Sequence, residues 1–298
     1  MRQLFRNSAR LSEDHAALVE FTETHPDEPD LRIATRLSPI ASECQTYIIR
    51  RLENLPHGGQ TYTTSIWTIS DDGSTRVQQR LPEAESIPLL SVFRPEKVSL
   101  SGEISLHHYS ETWEHLSETQ TAWVNYIFDT AEAAKRFQSA IFGRNLLDSF
   151  TTAKSIVVHQ GIRGAFAFEE QMCGIESLRI WEDNGLSLPS ARGGIMALIH
   201  LSPSFGEGWI KFWLNNSRHQ ARVRDDSGRT VKIKDLDIRI TQPGMARRDS
   251  IASREPKRAT ERNISGMRIE FPTDDEKTRF LALVKKIQGH LVPLPEVY

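Results

Sequence analysis

The chain has 298 residues, 38% of them hydrophobic and 26% charged, with a formal net charge of −2. That length is a prior for about two domains, and the composition supports a packed core rather than wholesale disorder. Charge this near neutral gives no reason to expect nucleic acid, and no apolar run approaches the roughly 20 residues that span a bilayer. Two distant cysteines, Cys44 and Cys173, give no readable disulfide or zinc framework and fit a reducing, cytoplasmic setting.

Residues 1–43 are expected to form an acidic, partly disordered arm. The first ten are Arg-rich and lack the apolar stretch of a secretory signal. Seven acids follow between residues 11 and 31, with no Lys or Arg among them. Ser12 can cap a short helix carrying Ala16, Leu18, Val19 and Phe21, which Pro26 and Pro29 would stop. The arm is read either as solvated or as docking on a basic surface.

From residue 44 the texture changes to short runs rich in Ile, Val, Thr, Tyr and Trp. Strands are expected at 46–51, 62–69, 75–81, 89–93, 103–109 and 122–128, with breakers at 56–59, 71–74 and Pro95. Asp72-Gly73 between two such runs signals a hairpin. Helical periodicity then places Ala133, Ala134, Phe137, Ala140 and Ile141 on one face over 130–142. This defines a first module at 44–143.

A second module at 150–290 repeats the order. Its strands are expected at 154–159, 165–171, 177–182, 195–201, 209–214, 220–224, 230–234, 236–240 and 267–271, with a turn at Asp226-Ser-Gly228. Its helix is expected over 274–288, with Phe280, Leu283, Val284 and Ile287 inward. Between the modules, 143–152 reads as a short linker whose Leu146, Leu147 and Phe150 want burial.

The two module ends match. Phe128-Asp-Thr-Ala-Glu-Ala-Ala-Lys-Arg-Phe137 and Phe271-Pro-Thr-Asp-Asp-Glu-Lys-Thr-Arg-Phe280 share Phe, Thr, an acid, Arg and Phe at an offset of 143 residues. Thr130 and Thr273 are placed to cap the helices. Glu276 is placed to complete a capping box. Phe137 and Phe280 fall on the inner faces, one turn before Ile141 and Val284.

Antiparallel strands closed by a C-terminal amphipathic helix, with these strand–Thr–acid–helix junctions, resemble the pleckstrin homology (PH) superfold. Phe137 and Phe280 stand where that family usually carries a helical Trp, as in a divergent relative. The resemblance implies an α+β, mostly β chain of two PH-like barrels, each capped by a helix. It also implies binding of phosphoinositide headgroups, peptides or protein surfaces. The family's headgroup pattern is incomplete: the first module offers Arg50 and Arg51, the second a weak anion site at Lys154 and Arg163.

Local enzyme signatures such as a Walker A loop, HExxH or GxSxG are missing, so no catalysis and no cofactor are expected. His107, His108 and His115 surround Tyr109 and Trp113, and adjacent strand positions face opposite ways, so they read as hydrogen-bonded rather than metal-binding. Trp209, Lys211 and Trp213 share one strand face, either an aromatic surface for a partner or a strand buried on both sides. The segment 241–265 carries Arg247, Arg248, Arg254, Lys257, Arg258 and Arg262 against three acids, and Arg247-Arg-Asp-Ser250 resembles a basophilic kinase site at Ser250. It is read as a solvated insertion or an electrostatic contact. The expected function is an intracellular scaffold for a protein or peptide partner. The alternative is a peripheral protein held on anionic lipid by 241–265, and an enzyme of unrecognised type stands third.

Overall fold

The computed structural model describes residues 8–21, 37–54, 60–81, 89–90, 95–159, 168–183, 189–200, 209–242 and 260–295. The chain is α+β and mostly β, and it divides into two compact units, Met1–Arg144 and Asn145–Tyr298. Among the described residues, no helix is long and apolar enough to cross a membrane.

The first unit opens with a meander of four strands, β1 (Ser8–Phe21), β2 (Leu37–Asn54), β3 (Gln60–Ser70) and β4 (Arg76–Arg80). A second meander follows, β5 (Leu89–Leu90), β6 (Lys97–Tyr109) and β7 (His115–Phe128), and then helix α1 (Ala131–Phe142). All pairings are antiparallel. β7 returns to β1, and β4 pairs with β6 as well as β3. Alternation sets the inner face: Cys44, Thr46 and Ile48 of β2 are buried with Ala16, Leu18, Ile66, Val77, Val124 and Tyr126.

In the second unit the first two strands are each broken once. β8 (Asn145–Thr152) and β9 (Lys154–His159) are separated only by Ala153, and β10 (Phe168–Cys173) and β11 (Glu176–Glu182) by Gly174 and Ile175. β8 and β11 join β12 (Ile195–His200) and β13 (Trp209–Trp213) in a sheet ordered β13-β12-β11-β8. β9 and β10 join β14 (Arg222–Asp225), β15 (Thr230–Gln242) and β16 (Thr260–Glu270) in a sheet ordered β10-β9-β16-β15-β14. Helix α2 (Asp274–Gln288) closes the unit. With each broken pair counted as one bent strand, both units follow one plan. Four strands meander, three more meander, the last pairs with the first, and a helix follows.

The shared helix residues have matching surroundings. Thr130 accepts the Ala133 N–H and Thr273 accepts the Glu276 N–H, each at 3.2 Å. Phe137 is fully buried, its ring 4.8 Å from Phe128, and Phe280 is fully buried, 5.3 Å from Phe271. Burial of one such ring stabilises by about 1.5–3 kcal/mol. The repeated Arg ties each helix to its unit's first strand. Arg136 pairs with buried Asp14 of β1 at 2.5 Å. Arg279 donates to the Ser149 carbonyl of β8 at 2.9 Å, lies over the Phe150 ring at 4.5 Å and sits 3.9 Å from Asp148.

Several expectations are corrected. The helix expected after Ser12 is strand β1, because Asp14, Ala16 and Leu18 alternate inward with period two. Ser8–Phe21 is therefore the first strand of a unit, not part of an appended arm, and the first module does not begin at 44. The linker expected at 143–152 is strand β8, with Leu146, Phe150 and Thr152 buried, so the second module begins before 150. Glu276 does not close a capping box on Thr273. Its carboxylate accepts the Thr151 N–H at 2.9 Å and an Arg279 N–H at 3.2 Å. Strands expected separately at 230–234 and 236–240 are one strand, bulged where Asp235 takes φ 60°. The ends of the 241–265 segment are paired strand, Thr241 opposite Glu261 and Gln242 opposite Thr260, and residues 243–259 lie outside the described residues.

Candidate binding groove

Two turns and strands β2, β3 and β4 of the first unit build a groove of ≈ 410 Å³. The β3–β4 turn forms as Asp72-Gly73 predicts. Gly73 takes φ 71° and donates to the Ser70 carbonyl at 2.8 Å. The Asp72 carboxylate accepts from the Ser70 hydroxyl at 2.5 Å, and from the Ser74 N–H at 2.9 Å and hydroxyl at 2.8 Å. Those bonds, the Ser70 hydroxyl first, push its pKa down to about 2, so it stays ionised. The Asp71 N–H reaches across to the Glu43 carbonyl of β2 at 3.0 Å.

The β6–β7 turn supplies the aromatic wall. The Ser110 hydroxyl accepts the Thr112 and Glu114 N–H groups at 3.2 and 3.1 Å, and the Trp113 N–H donates to the Ser110 carbonyl at 3.0 Å. Trp113 is held at φ 68°, a conformation in which bulky L-residues are rare. Its ring meets Trp67 edge-on at 5.8 Å and carries the Arg76 guanidinium 4.8 Å from its centroid. Arg76 Nη1 also donates to the Ser110 carbonyl at 2.6 Å, which holds the turn against β4. Tyr47, Ile49, Trp67 and Ile69 form the buried base, with Tyr109 and Trp113 packed on it. The groove is lined by Tyr47, Ile69 and Trp113, and by Ser70, Asp71 and Arg76. Glu43 within β2, Asp71 and Asp72 of the β3–β4 turn, and Glu111 and Glu114 of the β6–β7 turn are exposed.

Aromatic walls with a few fixed polar groups take up a side chain or a short peptide. Burial pushes the thiols of Cys44 and Cys173 up to about 11, which leaves both protonated and poorly nucleophilic at neutral pH. Among the described residues, no group of His, Cys, Asp and Glu is arranged to hold a metal ion. His107 lies 3.7 Å from Glu118, and His108 shares a hydrogen bond with Thr119 at 3.0 Å.

The residues singled out from sequence are placed elsewhere. Trp213 is not on an exposed face. It is buried with Ala191, Met196 and Leu294, and its N–H donates to the Pro295 carbonyl at 2.9 Å. The segment after α2 makes that cover, held by the Val292 N–H on the Asn215 carbonyl. Trp209 is half-buried, edge-on to His200 at 4.8 Å. Lys154 lines a second groove of ≈ 220 Å³ with Arg268, Asp226 and Glu270, but Arg268 already faces Glu169 and Asp226. Acids therefore offset its charge, and an anion gains little there. Arg163, Arg247, Arg248, Ser250, Arg254, Lys257 and Arg258 lie outside the described residues, and Arg262 sits on β16 opposite Ile240.

A buried polar group in the second unit has no counterpart in the expectations. Arg179 of β11 is fully buried, with Glu176 and His200 also buried. Burial pulls the Arg179 pKa down to about 10, opposed by Glu176, so the guanidinium stays charged. Burial, helped by Arg179, pulls His200 down to about 4, and burial pushes Glu176 up. Compared with known proteins, the sequence matches no family model and no curated protein.

Proposed function

We propose that this chain is a non-catalytic binding protein of two PH-like modules, and that it engages a protein partner through the groove of the first module. The observation that carries the reading is Trp113, a large aromatic held at φ 68° on the wall of an open, acid-flanked groove. Strain of that kind persists where the surroundings over-determine it, and it clusters at binding and active sites. The polar groups nearby are committed to structure, Asp72 to its turn and Arg76 to Ser110 and Trp113, which favours recognition over bond-making. The common plan of the two units, with its first-to-last strand pairing and Phe-plugged helix, supports the PH-like assignment.

The test is an affinity capture with the full chain and with Trp113→Gly, a substitution suited to the backbone there. A protein captured by the wild type and lost with the variant is the expected result. Equal capture by both would remove the groove from the account.

A further inference from the structure

We infer that the groove of the first unit receives a basic segment of the partner protein, with a Lys or Arg side chain against Trp113 and below Asp71. This rests on the groove being the partner site. Three observations carry it. The first is charge: Glu43, Asp71, Asp72, Glu111 and Glu114 are exposed around the groove, and Arg76 is the one cation among its described lining residues. Arg76 is held against the turn, its Nη1 on the Ser110 carbonyl and its Cζ 4.8 Å from the Trp113 centroid, and its single positive charge is outnumbered by the surrounding acids. The net field at the mouth is therefore negative, and an acidic segment meets repulsion.

The second is the wall. An aromatic face attracts ammonium and guanidinium groups through its quadrupole, with Trp the strongest. The Arg76 guanidinium lies 4.8 Å from the Trp113 centroid, so the ring takes a cation in this setting, and the partner's cation would use the part of the ring that lines the groove. The third is size. At ≈ 410 Å³ the groove lies toward the low end of the range of about 300–1,000 Å³ typical of ligand pockets. That space suits one long side chain with its flanking backbone. The negative mouth disfavours an anionic membrane as the occupant.

The test uses full-length protein and three short, capped, fluorescently labelled peptides of one sequence, with a central Arg-Lys-Arg, Gln-Gln-Gln or Glu-Glu-Glu, read by anisotropy. The basic peptide is expected to bind at least about tenfold more tightly than either twin and to weaken as salt rises. Asp71→Lys is expected to weaken the basic peptide about tenfold and to admit the Glu twin. Trp113→Gly is expected to weaken the basic peptide by a similar factor. Asp71 is exposed, so its variant tests charge without threatening the fold. If the Gln or Glu twin binds the wild type as well, and does so through Trp113, the cationic preference is wrong while the partner site stands. If no peptide binds in a Trp113-dependent way, the inference is overturned. If a partner captured by the wild type also survives Trp113→Gly, the partner-site reading falls with it.

Discussion

At Trp113 the backbone and the side chain pull in opposite directions. The left-handed conformation costs a bulky residue about 1–2 kcal/mol, and ring contacts with Trp67 and Arg76 offset it. Glycine removes the backbone cost and alanine keeps it. Urea unfolding should therefore find Trp113→Gly more stable than Trp113→Ala by about 1 kcal/mol. The reverse order would argue against the turn as described. His200 makes a prediction in pH. Its folded pKa of about 4 lies below the ordinary 6.5, so between those values the unfolded chain binds the extra proton. This contribution is fully present above pH 6.5 and is lost as pH falls toward 4. Glu176, raised by burial, works the other way. The difference between wild type and His200→Gln isolates the histidine: the wild type should lose stability relative to the variant by an amount on the order of 3 kcal/mol across that window. Parallel pH profiles would contradict the burial of His200. None of this residue-scale detail was legible in the sequence. Trp113 sits in a stretch that stands out in the sequence for its histidines, and nothing local announces that β2 and β3 bring Tyr47 and Ile69 beside it. Arg179 and His200 are separated in sequence and meet only through the β11–β12 register.

Among the elements, the two helices were the most legible, because capping and periodicity are local. The spacing predicts 130–142 and 274–288, and the helices run Ala131–Phe142 and Asp274–Gln288. The repeated Phe residues have the inward role their positions predict. Replacing Phe137 or Phe280 by Ala should cost about 3–5 kcal/mol each, measured by chemical denaturation. A loss below about 1 kcal/mol at either would show that its ring is not a plug. The repeated Arg had no reading in the sequence because its partner lies on a distant strand. Arg136 is largely exposed, so the cost of Arg136→Ala comes mainly from the buried Asp14 that loses a partner, about 1–2 kcal/mol. A change within about 0.3 kcal/mol would reduce that contact to surface decoration. The first strands of both units were the least legible elements. Acidic composition around Asp14, and the position of Leu146 and Phe150 just after a helix, masked a period-two pattern only a few residues long.

At the scale of the whole chain, two units share one strand plan, and the groove belongs to one of them. Strand content and the repeat were readable from composition and from the match at an offset of 143 residues. The return of the last strand to the first was not, since that pairing joins residues about a module apart and leaves no local trace. Such a plan leaves function to the loops and turns, where the two units differ. The account stands or falls on where a partner touches the first unit. Hydrogen–deuterium exchange of the full chain, with and without its captured partner, reads this directly. The account predicts slowed exchange at 43–47, 69–76 and 110–115. Unchanged exchange in all three segments, with protection elsewhere, would contradict it.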